Sequence, residues 1–429
     1  MTRIPPMEDG RAGRTVIGIV AEETDTEPAM PVIKGTKTET VDISGTGKTW
    51  TVAVKAKISG EEFGIFENWS SSDNVLRIRG AVTGVVTEEH PMATAVFTFG
   101  ARMHMQIEKS GVLKGHNGAS AYGDDARIEN AGRIVGDGGL GIQINNFGGG
   151  GTIVNSGKVI ADIGIYVLTT GASITNKKDG TITGRENGVE IDGTGDGNRL
   201  VNAGRITGVA DDGFAVLGSD YDDRIVNSGR IIGAIDLGDG NDVFIFRKGK
   251  LSDVVAGGEG NDTLKTSKSN VVLSEQAGDG YDTVKSTVSY VLGDNVEALI
   301  LQGKKAINGT GSADSNEITG NSGKNLLKGM AGDDWLDGGK GSDRLNGGAG
   351  FDTFVLAKGS GKDTVIRFED GIDRIFVAGY ADFKDPGDVA GHIRQKGDDT
   401  WVVMSRKDIL VLKGIDADLI DSDDFAFVM

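Results

Sequence analysis

Between Gly311 and Val355 the chain divides into five consecutive nines: GSADSNEIT, GNSGKNLLK, GMAGDDWLD, GGKGSDRLN and GGAGFDTFV. A period this short and strict leaves few folds open. One unit cannot bury a core alone, so neighbours must stack and share one. Separate units of the same form stand upstream as LGDGNDVFI, GGEGNDTLK and AGDGYDTVK, with Asp242, Asp262 and Asp282 at steps of 20. A longer grammar precedes them. RIENAGRIVG, TIVNSGKVIA, SITNKKDGTITG, RLVNAGRITG and RIVNSGRIIG carry Asn130, Asn155, Asn176, Asn202 and Asn227 at steps of 25, 21, 26 and 25. An earlier copy, IEKSGVLKG, places Lys109 where the asparagine would stand.

Short β-branched segments between glycine-rich turns predict an all-β chain. The expected fold is a right-handed parallel β-helix continuing into a parallel β-roll, each coil adding a layer of about 4.8 Å. The 69 glycines beside only 6 prolines suit many tight turns rather than a collagen or a Pro-rich tail. Alternation directs Ile142, Ile144, Ile165, Val167, Val189, Ile191, Phe214 and Val216 inward, and Gln143, Tyr166, Glu190 and Ala215 outward. The recurrent asparagines are expected to bond one another from layer to layer.

In each nonapeptide the first six residues make a turn, and the last three make a strand whose central residue (Leu336, Leu345, Phe354) enters the core. The sixth residue brings a carboxylate to the same place in every layer. Stacked carboxylates and turn carbonyls suit Ca2+, which takes six to eight oxygens. The expected ligands are Asp223, Asp239, Asp242, Asp262, Asp282, Asp334, Asp343 and Asp352, whereas Asn316 and Asn325 at sixth positions predict weak or absent sites. In the first grammar the same position runs Ala126, Gly151, Ala172, Asn198, Asp223, then Asp242. That gradual change predicts one continuous solenoid with no break at residue 235. The expected segments are an N-terminal cap with irregular coils (1–100), a β-helix (101–236), a calcium roll (237–355) and a C-terminal cap (356–429).

A net charge of −18 argues against a nucleic-acid partner, and no window suggests membrane insertion. Without cysteine there are neither disulfides nor thiolate metal sites. The opening MTRIPPMEDGRAGRTVIGIVAEE has no apolar core of the kind a cleaved signal peptide needs.

From Leu237 to Phe427 the chain resembles the RTX family of haemolysin-type calcium-binding repeats, on the nonapeptides quoted above. The resemblance implies Ca2+ as cofactor, an extracellular location and the type I secretion apparatus as partner, with an uncleaved signal in the tail. HExxH and GxSxG are absent, which disfavours a zinc protease or a serine esterase. The layout is similar to small secreted rhizobial enzymes that cleave exopolysaccharide. An acidic extracellular polysaccharide is therefore the expected partner, cleaved by a lyase or glycoside hydrolase or held by a non-catalytic adhesin. Asp162, Tyr166, Glu186, Glu190 and Asp211 are the candidate catalytic residues, since neighbouring carboxylates can serve as acid and base.

Overall fold

A computed structural model describes residues 17–18, 32–67, 71–146, 148–210, 213–380 and 385–427. They divide into two compact units, residues 1–190 and 191–429. Each is a parallel β-solenoid.

In the first unit a coil consists of three short strands, such as Arg127–Asn130, Arg133–Gly136 and Leu140–Asn145. Each pairs in parallel with its counterpart one layer on. Strict alternation makes the core a set of columns: Ile128–Ile153–Ile174, Leu113–Ile134–Val159–Ile182, and Ala119–Ile142–Ile165, all at most 1% exposed. Burying each such Ile or Leu contributes about 1.5–3 kcal/mol. Regular coils are present well before residue 100. Thr49–Val52 pairs with Val75–Ile78, and Lys57–Gly60 with Ala81–Gly84, where sequence reading expected irregularity.

The asparagines form the expected ladder. Asn130 Nδ2 donates to Asn155 Oδ1 (2.8 Å), and Asn155 Nδ2 to Asn176 Oδ1 (2.8 Å). Each side chain also serves its own turn, as where Asn130 Oδ1 accepts from the Gly132 N–H. Lys109 does not hold the equivalent place. Ile107 pairs with Asn130 and Val112 with Arg133, so this turn is two residues longer and Lys109 projects into solvent. In the second unit Asn202 Nδ2 bonds Asn227 Oδ1 (2.9 Å). The ladder stops there, because the next layer presents Phe246, and Asn227 Nδ2 is left buried without a partner.

The second unit carries one long core column: Leu200, Ile225, Phe244, Leu264, Val284, Leu299, Ile318, Leu336, Phe354 and Ile375. It runs through residue 235 without interruption. Asp223–Asn227 pairs in register with Val243–Phe246, Arg230–Ile232 with Lys250–Leu251, and Ala234–Asp236 with Val255–Ala256. Where longer coils give way to nonapeptides, one strand per coil is lost and the column continues.

Two expectations need correction. Phe214 is half-exposed while Ala215 is fully buried, because the register slips between Phe214 and Val216 against the next layer. The parallel roll also does not end at Val355: Arg344–Leu345 pairs with Thr364–Val365, and Thr353–Ala357 with Arg374–Ala378. Beyond it, Ile393–Lys396, Asp399–Val403 and Ile409–Leu412 form an antiparallel meander, its last strand parallel to Lys362–Val365. Antiparallel pairing here covers an open sheet edge.

One turn carries strain. The second residue of GGKGSDRLN and GGAGFDTFV has positive φ, which Gly339 (+76°) and Gly348 (+129°) accept without cost, yet Met330 adopts +102° in the same place. Its side chain is 53% exposed and gains little from packing. Met330→Gly is expected to stabilise the protein by about 0.5–1 kcal/mol, after the extra unfolded-state freedom of glycine is subtracted. A denaturant midpoint that falls instead would show the turn to be unstrained.

Candidate calcium centre and outer face

The sixth-position residues form columns in which the backbone N–H of one layer donates to the side chain of the next. The Asp223 N–H donates to Asp242 Oδ1 (2.6 Å), that of Asp242 to Asp262 (2.7 Å), and that of Asp262 to Asp282 (2.8 Å). The Asp282 N–H then reaches Glu297 Oε2 (2.7 Å). The column resumes as Asn316 to Asp334 (2.8 Å), Asp334 to Asp352 (3.1 Å) and Asp352 to Asp373 (3.1 Å). A second column joins Asn325 to Asp343 (2.7 Å) and Asp343 to Asp363 (2.9 Å). The fifth residues stitch the turns the other way: Asn261 donates to Asn241 Oδ1 and Tyr281 to Asn261 Oδ1.

In most of these carboxylates one oxygen is used in this way and the other is stranded. Oδ2 of Asp242, Asp262, Asp282, Asp334, Asp343 and Asp363 is buried with no hydrogen-bond partner, as is Oδ1 of Asp223. Burial first, and neighbouring carboxylates second, push the carboxyl groups up: Asp242 to about 9, Asp262, Asp334 and Asp363 to about 7, and Asp223, Asp282, Asp343 and Asp373 to about 6. Backbone N–H donors offset only part of this. Such oxygens need a proton or a cation. A hard cation with many oxygen ligands fits them, and these carboxylates would hold Ca2+.

The sequence also made room for them. The first glycine of a nonapeptide backs onto its own sixth residue, so a methyl group at Gly329 or Gly347 would collide with the Asp334 or Asp352 carboxylate. The asparagine layers close differently. Asn316 Nδ2 donates to the Val296 carbonyl (2.9 Å) and Asn325 Nδ2 to that of Ile307, an amide doing locally what a cation would do. Of the expected ligands, only Asp239 lies outside the columns, exposed on the turn rim.

Asp363 and Asp373 were overlooked, although GSGKDTV and EDGIDRI repeat the nonapeptide pattern at one remove. Glu297 gave no signal, because its turn, LGDNVE, keeps only one of the glycines and has glutamate in place of aspartate. Glu275 is the other omission. It lies near Asp262 and Asp282, and all three ligand atoms fall within 4.8 Å of one another.

The profile of the RTX calcium-binding nonapeptide repeat matches four copies, over residues 251–270 and 319–354. This chain carries RTX calcium-binding repeats. Among curated proteins no relative matches. Among solved structures it is similar to the extracellular lipase LipA from Serratia marcescens, at 18% identity and a TM-score of 0.22. That match covers 54% of this chain and 40% of the lipase, so the chain spans less than half of that protein.

Away from the RTX columns, the candidate catalytic residues lie on the outer side of the first unit, with Asp211 outside the described residues. Tyr166 is beside Gln143 in register, and the Ile165 N–H donating to the Gly188 carbonyl (3.0 Å) brings Glu190 level with Tyr166. Gln143, expected outside, is only 8% exposed; the Tyr122 hydroxyl lies 3.4 Å from its Oε1. Asp162 is ion-paired with Arg185, whose guanidinium also approaches Asp137 (3.8 Å) and the Gly136 carbonyl (3.4 Å). Glu190 accepts from Asn187 Nδ2 (2.7 Å), and Glu186 is exposed.

Sequence reading missed what extends this face. Phe66 and Phe97 occupy the same column as Gln143 and Tyr166, with Ser120 between. With Phe63, Phe99 and Tyr122 they form a half-buried aromatic stripe whose neighbouring centroids are 4.8–6.2 Å apart.

Proposed function

We propose that this is a secreted solenoid, folded by calcium, that acts on an acidic extracellular polysaccharide along the outer face of its first unit. Proteins with RTX repeats are typically exported, and type I secretion through a calcium-poor cytosol suits carboxylate columns that repel one another until an ion joins them. The aromatic stripe running to Gln143, Tyr166 and Glu190 carries the polysaccharide reading. It offers flat apolar surfaces to successive sugar rings and hydrogen-bonding groups at its end. Arg185 would meet a uronate carboxylate there. Glu190 and Asp162 are the residues proposed for cleavage, whether by proton abstraction in a lyase or as a carboxyl pair in a glycanase.

A non-catalytic adhesin is the second reading. The pairing of Asp162 with Arg185 and the bond from Asn187 to Glu190 favour it, because both carboxylates are held as acceptors.

Protein refolded in calcium is mixed with acidic exopolysaccharides, and viscosity, reducing ends and unsaturated-uronate absorbance are followed. Thinning with new absorbance is the lyase result, and thinning with reducing ends alone is that of a hydrolase. In either case Glu190→Gln should lower the rate at least about a hundredfold. Saturable binding with unchanged chain length, weakened by Phe97→Ala, supports the adhesin. No binding to any acidic polymer removes the polysaccharide from the proposal.

A further inference from the structure

Glu275 does not belong to the nonapeptide pattern, yet it points into the column. Val255–Ala256 pairs with Leu273–Ser274, so Glu275 takes the place that Gly257, first residue of GGEGNDTLK, holds one layer earlier. Its turn, EQAGDGYD, reaches the sixth-position Asp282 two residues later than GGEGND reaches Asp262. The insertion swings a carboxylate in where GGEGNDTLK and all five tandem units have a glycine.

Glu275 is only 9% exposed, and neither of its oxygens accepts a well-formed hydrogen bond. Asp262 and Asp282, at most 1% exposed, each have a stranded Oδ2 in the same place. Gly257 closes one side: a methyl group there would meet Asp262 Oδ2 and stand 2.7 Å from Glu275 Oε2. Four unpartnered carboxylate oxygens thus converge in a space from which water is largely excluded, and no lysine or arginine is paired with them among the described residues.

We propose that Glu275 joins Asp262 and Asp282 in a three-carboxylate calcium site, the tightest of the roll. The inference rests on calcium binding by the columns and adds a ligand that the repeat does not supply. The ligand atoms all lie within 4.8 Å of one another, close enough to share one ion at about 2.3–2.6 Å from each. Magnesium demands near-octahedral geometry and resists losing its waters, so a buried cluster of three carboxylates selects calcium. Three negative charges where other layers offer fewer raise affinity, as ligand charge does in calcium sites generally.

Equilibrium dialysis of the whole chain against radioactive calcium, after chelation and with excess magnesium, tests this. Wild type should bind one ion more tightly than the others. Glu275→Gln keeps the size of the side chain, and should weaken that ion at least about tenfold while leaving the remaining ions unchanged. Wild-type stoichiometry and affinity in Glu275→Gln, or displacement of the tight ion by magnesium, would overturn the three-carboxylate site alone. A chain that binds no calcium would overturn the column reading as well.

Discussion

Chelation at pH 8 is expected to remove most of the ordered structure between residues 219 and 373 and leave the first unit's coils in place. Those residues hold stranded oxygens on Asp223, Asp242, Asp262, Asp282, Asp334, Asp343 and Asp363, together with both oxygens of Glu275. An uncompensated buried charge costs several kcal/mol, and a domain keeps only about 5–15 kcal/mol in all. Two or three such groups exhaust that margin. Each ion at a hundred times its Kd returns about 2.7 kcal/mol, so a handful restores the fold. Where the second unit has carboxylates the first has Ala126, Gly151 and Ala172. Its ladder of Asn130, Asn155 and Asn176 is neutral and internally satisfied, so removing the ion leaves it unchanged. Hydrogen exchange followed by mass spectrometry, with and without chelator, should show protection lost from the nonapeptide strands and kept in strands such as Arg133–Gly136 and Lys158–Ala161. Uniform protection in both conditions would contradict it.

The second large effect is pH dependence in chelator. The folded-state carboxyls of Asp242 and Glu275 are raised to about 9, and those of Asp262, Asp334 and Asp363 to about 7, above model values of 3.8 or 4.5. Burial is the main cause in each. For acids shifted upward the folded chain holds more protons than the unfolded one, so stability is fully present below about pH 4 and declines as pH rises through the folded values. The window runs from about pH 4 to 9. Each group that keeps its proton across one pH unit contributes about 1.4 kcal/mol over that unit, so several together amount to many degrees in Tm. The ion-free roll should therefore melt higher at pH 5 than at pH 8. Saturating calcium should reverse the trend, because protons then compete with the ion for the same oxygens. A chelator-treated protein whose Tm rises from pH 5 to pH 8 would show that these carboxylates are paired by something else.

Much of this was legible in the chain because the repeats are physical units. The alternation of Ile142, Ile144, Ile165 and Val167, and the glycine-framed positions of Asp334, Asp343 and Asp352, encode burial and turn geometry directly. The parts that were not legible are those where a coil departs from its own period. Two extra residues send Lys109 to solvent, a register slip exchanges Phe214 with Ala215, and a lengthened turn brings Glu275 inward. An insertion is visible in a sequence, but the direction in which it displaces a side chain is set by the neighbouring layers. The aromatic stripe was missed for another reason. Phe66 and Phe97 lie in coils too divergent to align with the later repeats, and only the strand register brings them into the column of Tyr166.

Anomalous diffraction from crystals grown in calcium examines the carboxylate columns most directly. Peaks should lie about 2.3–2.6 Å from the free oxygens of Asp242, Asp262, Asp282, Asp334 and Asp343, with none beside Asn316 or Asn325. Columns free of anomalous density, with the calcium confined to the exposed rim around Asp239, would contradict the reading.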